Sequence, residues 1–127
     1  MTRRFEKHFT PAEARNTLPL VRRIVRDILD RMHEVRSLAT MLGEDAQDHP
    51  QMRGLVGELE DCMAELERLG CFYKDWNFSV GLVDFPALID GEEVFLCWRT
   101  DEPDILHYHG IEDGYAGRRP LPEELRS

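Results

Sequence analysis

Apolar residues in the first half of the chain recur with a helical period. Val21, Val25, Ile28, Met32, Val35, Ala39 and Leu42 are spaced alternately four and three apart, and Met52, Leu55, Leu59, Cys62, Leu66 and Leu69 repeat the pattern. Such spacing puts one side chain per turn on a single seam, so each run predicts an amphipathic helix. The polar stretch Gly43-Glu44-Asp45-Ala46-Gln47 separates the runs, and a short link between matched seams predicts an antiparallel helical hairpin. Ile24, Leu29, Leu38, Val56 and Met63 widen the stripe, leaving apolar surface for the rest of the chain or a partner helix pair to cover.

The ends of these helices are also written in the sequence. In Phe9-Thr10-Pro11-Ala12-Glu13, Thr10 has the place of an N-cap, Pro11 of the first helical residue and Glu13 of the capping-box acid. Proline disfavours helical geometry in the residue before it, so a short first helix is expected to break near Leu18-Pro19, and the long one to begin at Pro19. Asp48 with Gln51 predicts a second capping box, and Gly70 a C-terminal stop.

After Gly70 the period falls to two. Residues 71–75, 81–85, 93–99 and 105–109 predict about four strands, and Asp90-Gly91 between apolar runs predicts a hairpin. In the third strand Val94, Leu96 and Trp98 share one face and Phe95, Cys97 and Arg99 the other; apolar residues on both sides mark a central strand. From Gly110 onward the glycine and proline content is that of a loop. The expected fold is α+β: a long antiparallel helical hairpin packed with a small, mainly antiparallel β-sheet. It forms a single domain over 1–127, with a helical half (1–70) and a sheet half (71–127) ending in a glycine-rich loop.

Charge narrows the function. The net charge of −9 argues against general affinity for nucleic acid or anionic membranes, although residues 1–36 carry +4 and the remainder −13. On the long helix Asp27, Asp30 and Glu34 are placed to pair with Arg23, Arg26 and Arg31, or the basic face pairs with the acidic second helix. Cys62, Cys71 and Cys97 form no C-x-x-C pair and read as small buried hydrophobes. Without a membrane-length apolar run or a secretory leader, the expected compartment is the cytoplasm.

The densest chemistry lies in Leu106–Arg119, L-H-Y-H-G-I-E-D-G-Y-A-G-R-R. His107 and His109 alternate onto one strand face, and a carboxylate from Asp84, Glu102, Glu112 or Asp113 would complete a shell for Zn²⁺, Mn²⁺ or Fe²⁺. The metal set favoured by the sequence is His107, His109, Glu102 and Asp113. The glycines and the paired arginines suit an anionic ligand instead, or only a tight turn in which Arg118 pairs with Asp84 or Asp113. Trp76, Asn77 and Phe78 read as an aromatic lip or as packing. No P-loop, dinucleotide fingerprint or nucleophile elbow is present, so catalysis is left open. The competing expectation is a non-catalytic interaction or scaffold module, homodimeric through the hairpin or bound to a protein partner.

Four motifs in order, F-T-P-A-E-A-R-N-T-L-P, G-L-V-D-F-P-A, L-C-W-R-T-D-E-P and H-Y-H-G-I-E-D-G-Y-A-G-R, resemble the bacterial family catalogued as domain of unknown function 2203. The resemblance covers nearly the whole chain and implies no assigned activity. It singles out Asp84, Trp98, Arg99, Glu102, His109, Gly114, Gly117 and Arg118, and on it Arg99, Arg118 and Asp84 are the expected ligand-binding residues. The chain departs from it at His107, where some members carry an aromatic residue, which favours His109 as a ligand.

Overall fold

The computed structural model describes residues 3–126. Helix α1 spans Pro11–Leu42 and opens on the expected capping box. The Thr10 hydroxyl accepts the Glu13 N–H (3.1 Å), and the Glu13 carboxylate accepts the Thr10 N–H (2.9 Å). Pro19, expected to start a second helix, instead lies inside α1. Packing overrides the local preference here. Leu18 and Val21 on either side of it are buried in one cluster with Phe85 and Leu96. Burying each is worth about 1.5–3 kcal/mol, which offsets the roughly 3 kcal/mol cost of an interior proline.

A 3₁₀ turn over Gly43–Asp48 leads to α2, Pro50–Leu69. The cap of α2 is His49, not the expected Asp48: the His49 Nδ1 accepts the Gln51 N–H (3.2 Å). Pro50 takes the first helical position and holds its predecessor extended, so the cap falls on the residue directly before the proline. Gly70 closes α2 at a φ of 100°, giving its N–H to Leu66 and Glu67. The two helices pack together: Leu38 shares a buried cluster with Met52 and Leu55, and Arg31 reaches Glu58 at 2.8 Å. Arg31 also lies 3.9 Å from Glu34, whereas the expected pairs of Arg23 and Arg26 are absent from the ion pairs of the described residues.

The sheet has five strands in chain order, each antiparallel to the next: β1 (Phe72–Tyr73), β2 (Leu82–Ile89), β3 (Glu92–Arg99), β4 (His107–Gly110) and β5 (Arg119–Pro120). β1 is shorter than expected and β5 unforeseen, since two residues are too few to show an alternation. β2 continues through Pro86. The Pro86 carbonyl accepts the Phe9 N–H (2.7 Å) at the edge beyond β1, so its missing N–H interrupts no bond to β3. Asp90 and Gly91, at φ of 53° and 82°, make the tight hairpin that the sequence predicts.

Alternation gives the sheet two covered faces. Val83, Phe85 and Ala87 of β2 pair with Trp98, Leu96 and Val94 of β3 and pack on Val21, Val25 and Ile28. Asp84, Phe95, Cys97, His107 and His109 point the other way. Residues 3–9 form a strap that starts on that second face, where Phe5 meets Phe72 (5.5 Å between centroids) and Phe95 (5.3 Å), and ends on the helical side, where Phe9 meets Phe85 (5.2 Å). Glu93 anchors the strap, accepting the backbone N–H groups of Arg4 (2.9 Å) and Phe5 (3.2 Å) and facing His8 Nε2 at 2.8 Å.

The Arg4 N–H bond, the contact with His8 and the Phe5 N–H hold the Glu93 carboxyl down at a pKa of about 2. A depressed folded pKa stabilises above the ordinary carboxylate range and loses that contribution as pH falls toward about 2. Glu93→Gln should therefore lower amide-exchange protection at Arg4, Phe5 and Phe9 near neutral pH, measured by NMR, while β3 stays protected. Unchanged protection of the strap would contradict the anchor.

Candidate functional site

The second face of the sheet collects the acid, thiol and imidazole groups at its centre. Asp84 on β2 is paired in register with Cys97 on β3, and Cys97 in turn with His107 on β4; two pairs further along, on the same face, Phe95 faces His109. An acid inside the apolar run Leu82–Ile89 would be costly alone, so its burial implies a partner. That partner is His109: its Nε2 lies 3.1 Å from both carboxylate oxygens, with the side chains 3% and 5% exposed.

The other imidazole nitrogen is also engaged, with Nδ1 2.8 Å from the Gly110 carbonyl. A carbonyl only accepts, so Nδ1 carries a proton and donates it. Burial pulls the His109 pKa down, but the hydrogen bond and charge of Asp84, the Gly110 carbonyl and the charge of Asp113 outweigh it and raise the pKa above its ordinary value. With Nδ1 fixed as the donor, the contact between Nε2 and Asp84 requires a proton between them, since a bare lone pair facing a carboxylate would be repelled.

Cys97 completes the group. One ligand atom each from Asp84, Cys97 and His109 all lie within 4.8 Å of one another, and the three residues are buried. Burial, then the Asp84 charge, pushes the Cys97 thiol up to about 12, so without a metal it is protonated and no nucleophile. Cys71, also raised to about 12 by burial, gives its thiol to the Leu66 carbonyl (3.5 Å) and is equally inert.

The expected residues divide into separate clusters. His109 and Asp84 stand together with Cys97, which sequence reading treated as core. His107 joins Glu102 instead, with Nδ1 3.0 Å from Oε2 but without hydrogen-bond alignment. Glu102 is a structural hub. It accepts Arg118 Nη2 at 2.6 and 2.7 Å and the Arg99 N–H at 2.8 Å, and its carbonyl accepts the Trp98 indole N–H (3.0 Å). Arg118 therefore pairs with Glu102, not with Asp84 or Asp113. Arg99 bonds Asp101 (2.6 Å) and the Tyr115 hydroxyl. Both expected anion-binding arginines have acid partners within the chain.

Asp113 is likewise a turn clip, accepting the Gly110 N–H (3.2 Å). A Cβ at Gly110 or Gly117 would come within 2.6 Å of its side chain, so both glycines make room for it. Glu112 is exposed and pairs with Arg4 (2.7 Å).

Asp84, Cys97 and His109 form part of the lining of a pocket of about 310 Å³, together with Lys74, Trp76 and Tyr115. The loop 76–81 is held by Asp75, whose carboxylate accepts the N–H groups of Asn77, Ser79, Val80 and Gly81 at 2.8–3.1 Å. Burial raises the Asp75 pKa, yet those four donors win and keep it low. Trp76 is thereby presented from a fixed loop, edge-on to Tyr73, and remains 63% exposed.

Removing one member of a buried ion pair costs about 3–5 kcal/mol. Asp84→Asn should therefore destabilise the chelator-treated protein by that order in urea unfolding, and should lower the His109 pKa in an NMR titration. The sign follows from linkage: a raised folded pKa stabilises below the ordinary histidine value, and the gain fades as pH rises through the folded one. A His109 pKa unmoved by Asp84→Asn would contradict the pairing.

Among the described residues no helix is long and apolar enough to cross a membrane. The family model described as "Uncharacterized conserved protein (DUF2203)" matches residues 7–121, and the chain belongs to that family. No curated protein and no solved structure matches the chain.

Proposed function

We propose that this member of the DUF2203 family binds a divalent metal, zinc before manganese or iron, through Asp84, Cys97 and His109. The observation that carries the reading is the convergence of a carboxylate, a thiol and an imidazole within 4.8 Å on a buried sheet face. In a tetrahedral shell with bonds of ~2.0–2.3 Å, ligand atoms lie about 3.5 Å apart, so small side-chain shifts bring the three into range. The Nδ1–H bond to the Gly110 carbonyl supports it too, since metal-bound histidines usually donate their other nitrogen in this way. A thiolate and an imidazole in one set favour zinc over the harder ions.

Three protein ligands leave a fourth position, which would face the pocket and take water or a substrate atom. A metal bound there would displace the proton of the raised Cys97 thiol and act as a Lewis acid. The helices serve as an antiparallel hairpin that holds the sheet, and the Glu102 hub fixes β3 beside the glycine-rich loop. In this scheme His107 belongs to the hub, not to the metal shell.

A second reading, self-association through the helices, has one observation in its favour. Val56 and Met41 stay exposed near the turn between α1 and α2, and Val56 borders a groove of about 580 Å³ lined by Ala39, Ala46 and Met52. Val56→Asp should then lower the mass found by sedimentation equilibrium from dimer to monomer. A monomeric parent protein would remove this reading.

The metal reading is tested by adding cobalt(II) to chelator-treated protein. Thiolate ligation should give an intense near-ultraviolet charge-transfer band at one equivalent, absent from Cys97→Ser and Asp84→Asn/His109→Ala and retained in His107→Ala. No band in the parent protein, or its loss in His107→Ala alone, would overturn the assignment.

A further inference from the structure

The pocket above the cluster has a chemical character of its own. Its rim carries two exposed aromatic rings, Trp76 and Tyr115, each fixed by the chain before any ligand arrives. Trp76 stands on the loop clamped by Asp75 and meets Tyr73 and Phe78 edge-on, at 5.9 and 6.1 Å. Tyr115 is flanked by the guanidinium groups of Arg99 (5.9 Å) and Arg118 (5.0 Å), and its hydroxyl accepts from Arg99. Large apolar rings exposed on ordered loops cost solvation without adding to the core, and rigid aromatic walls of this kind suit a planar guest.

Charge decides which planar guest. Aromatic walls alone would equally suit a cation. Here, however, Lys74 projects over the pocket floor, with its ammonium 5.2 Å from the Phe95 centroid and 5.9 Å from that of Phe72. Among the described residues no ion pair includes Lys74, whereas Arg99 and Arg118 beside the same pocket have Asp101 and Glu102. A cation in the pocket would be repelled by Lys74. An anion would gain an ammonium that none of these ion pairs neutralises, while the acid of the lining, Asp84, already faces His109.

We infer that the pocket takes a small planar carboxylate, its ring between Trp76 and Tyr115 and its acid group on Lys74, beside Asp84, Cys97 and His109. This deepens and rests on the metal reading, because the acid group then lies next to the metal's open position. Neutral aromatic molecules lack the charge for Lys74. Aliphatic acids of the same charge lack the face for the two rings.

The test uses benzoate as probe and Trp76 fluorescence as readout, on zinc-loaded and on chelator-treated protein; bound zinc is counted by elemental analysis. Trp98 is fully buried and serves as the constant background. Benzoate should quench saturably, benzyl alcohol at the same concentration should not, and zinc should tighten the binding. Lys74→Met should weaken it about tenfold, the size expected for one charge-assisted hydrogen bond, and Lys74→Arg should restore most of it. Zinc bound at one equivalent with no benzoate response, or a response equal in Lys74→Met, overturns the carboxylate pocket and leaves the metal reading standing. A Lys74-dependent response with no zinc bound overturns the metal reading and keeps the pocket. Neither zinc nor a response overturns both.

Discussion

A carboxylate and an imidazole buried against each other on the face of a sheet that the helices do not cover have to satisfy one another, and the Asp84–His109 contact sets the terms for the second half of the chain. Asp84 occupies a β2 position whose neighbours Val83 and Phe85 are wholly buried on the helical side. Its own side chain must therefore lie on the opposite face, where β4 supplies His109. His109 in turn needs an acceptor for Nδ1, which the Gly110 carbonyl provides at the point where β4 gives way to the loop. Losing either partner would leave a buried polar group without its hydrogen-bond partner.

That second face is not left open to solvent, and its cover is built from chain segments rather than from another layer of helices. The strap 3–9 covers the β1 side through Phe5, and Glu93 ties it down. The glycine-rich loop covers the β4 side, clipped by Asp113 at its start and by the Arg118–Glu102 pair at its end. Between the two covers remains the pocket whose rim is Trp76 and Tyr115. A buried polar cluster reached from one side through a small pocket is the arrangement in which a metal or a small ligand can be held out of bulk water.

Much of the fold was legible because its signals are local. The Thr10–Glu13 capping box, the stop at Gly70 and the Asp90-Gly91 turn each depend on a few adjacent residues, and each appears where the sequence puts it. Pro19 and Asp48 misled for a physical reason. One is overruled by the packing of Leu18 and Val21 on the sheet; the other is displaced by Pro50, which makes His49 the cap. The site was legible in part. The lone acid at Asp84 and the alternation of His107 and His109 were visible, but partner choice depends on register. Register sets Cys97 between Asp84 and His107, while the turn after β3 hands Glu102 to Arg118. The signal for Cys97 was present in its place beside Phe95 and Arg99 on the second face of β3, and only knowledge of what lies across the strands gives it meaning.

The central claim, a metal shell with one sulfur from Cys97, is tested most directly by X-ray absorption at the zinc edge on protein purified without chelator. The account predicts one sulfur neighbour at about 2.3 Å and nitrogen or oxygen neighbours at about 2.0 Å in a four-coordinate shell. Zinc surrounded only by nitrogen and oxygen, or protein with no zinc at the edge, would contradict it.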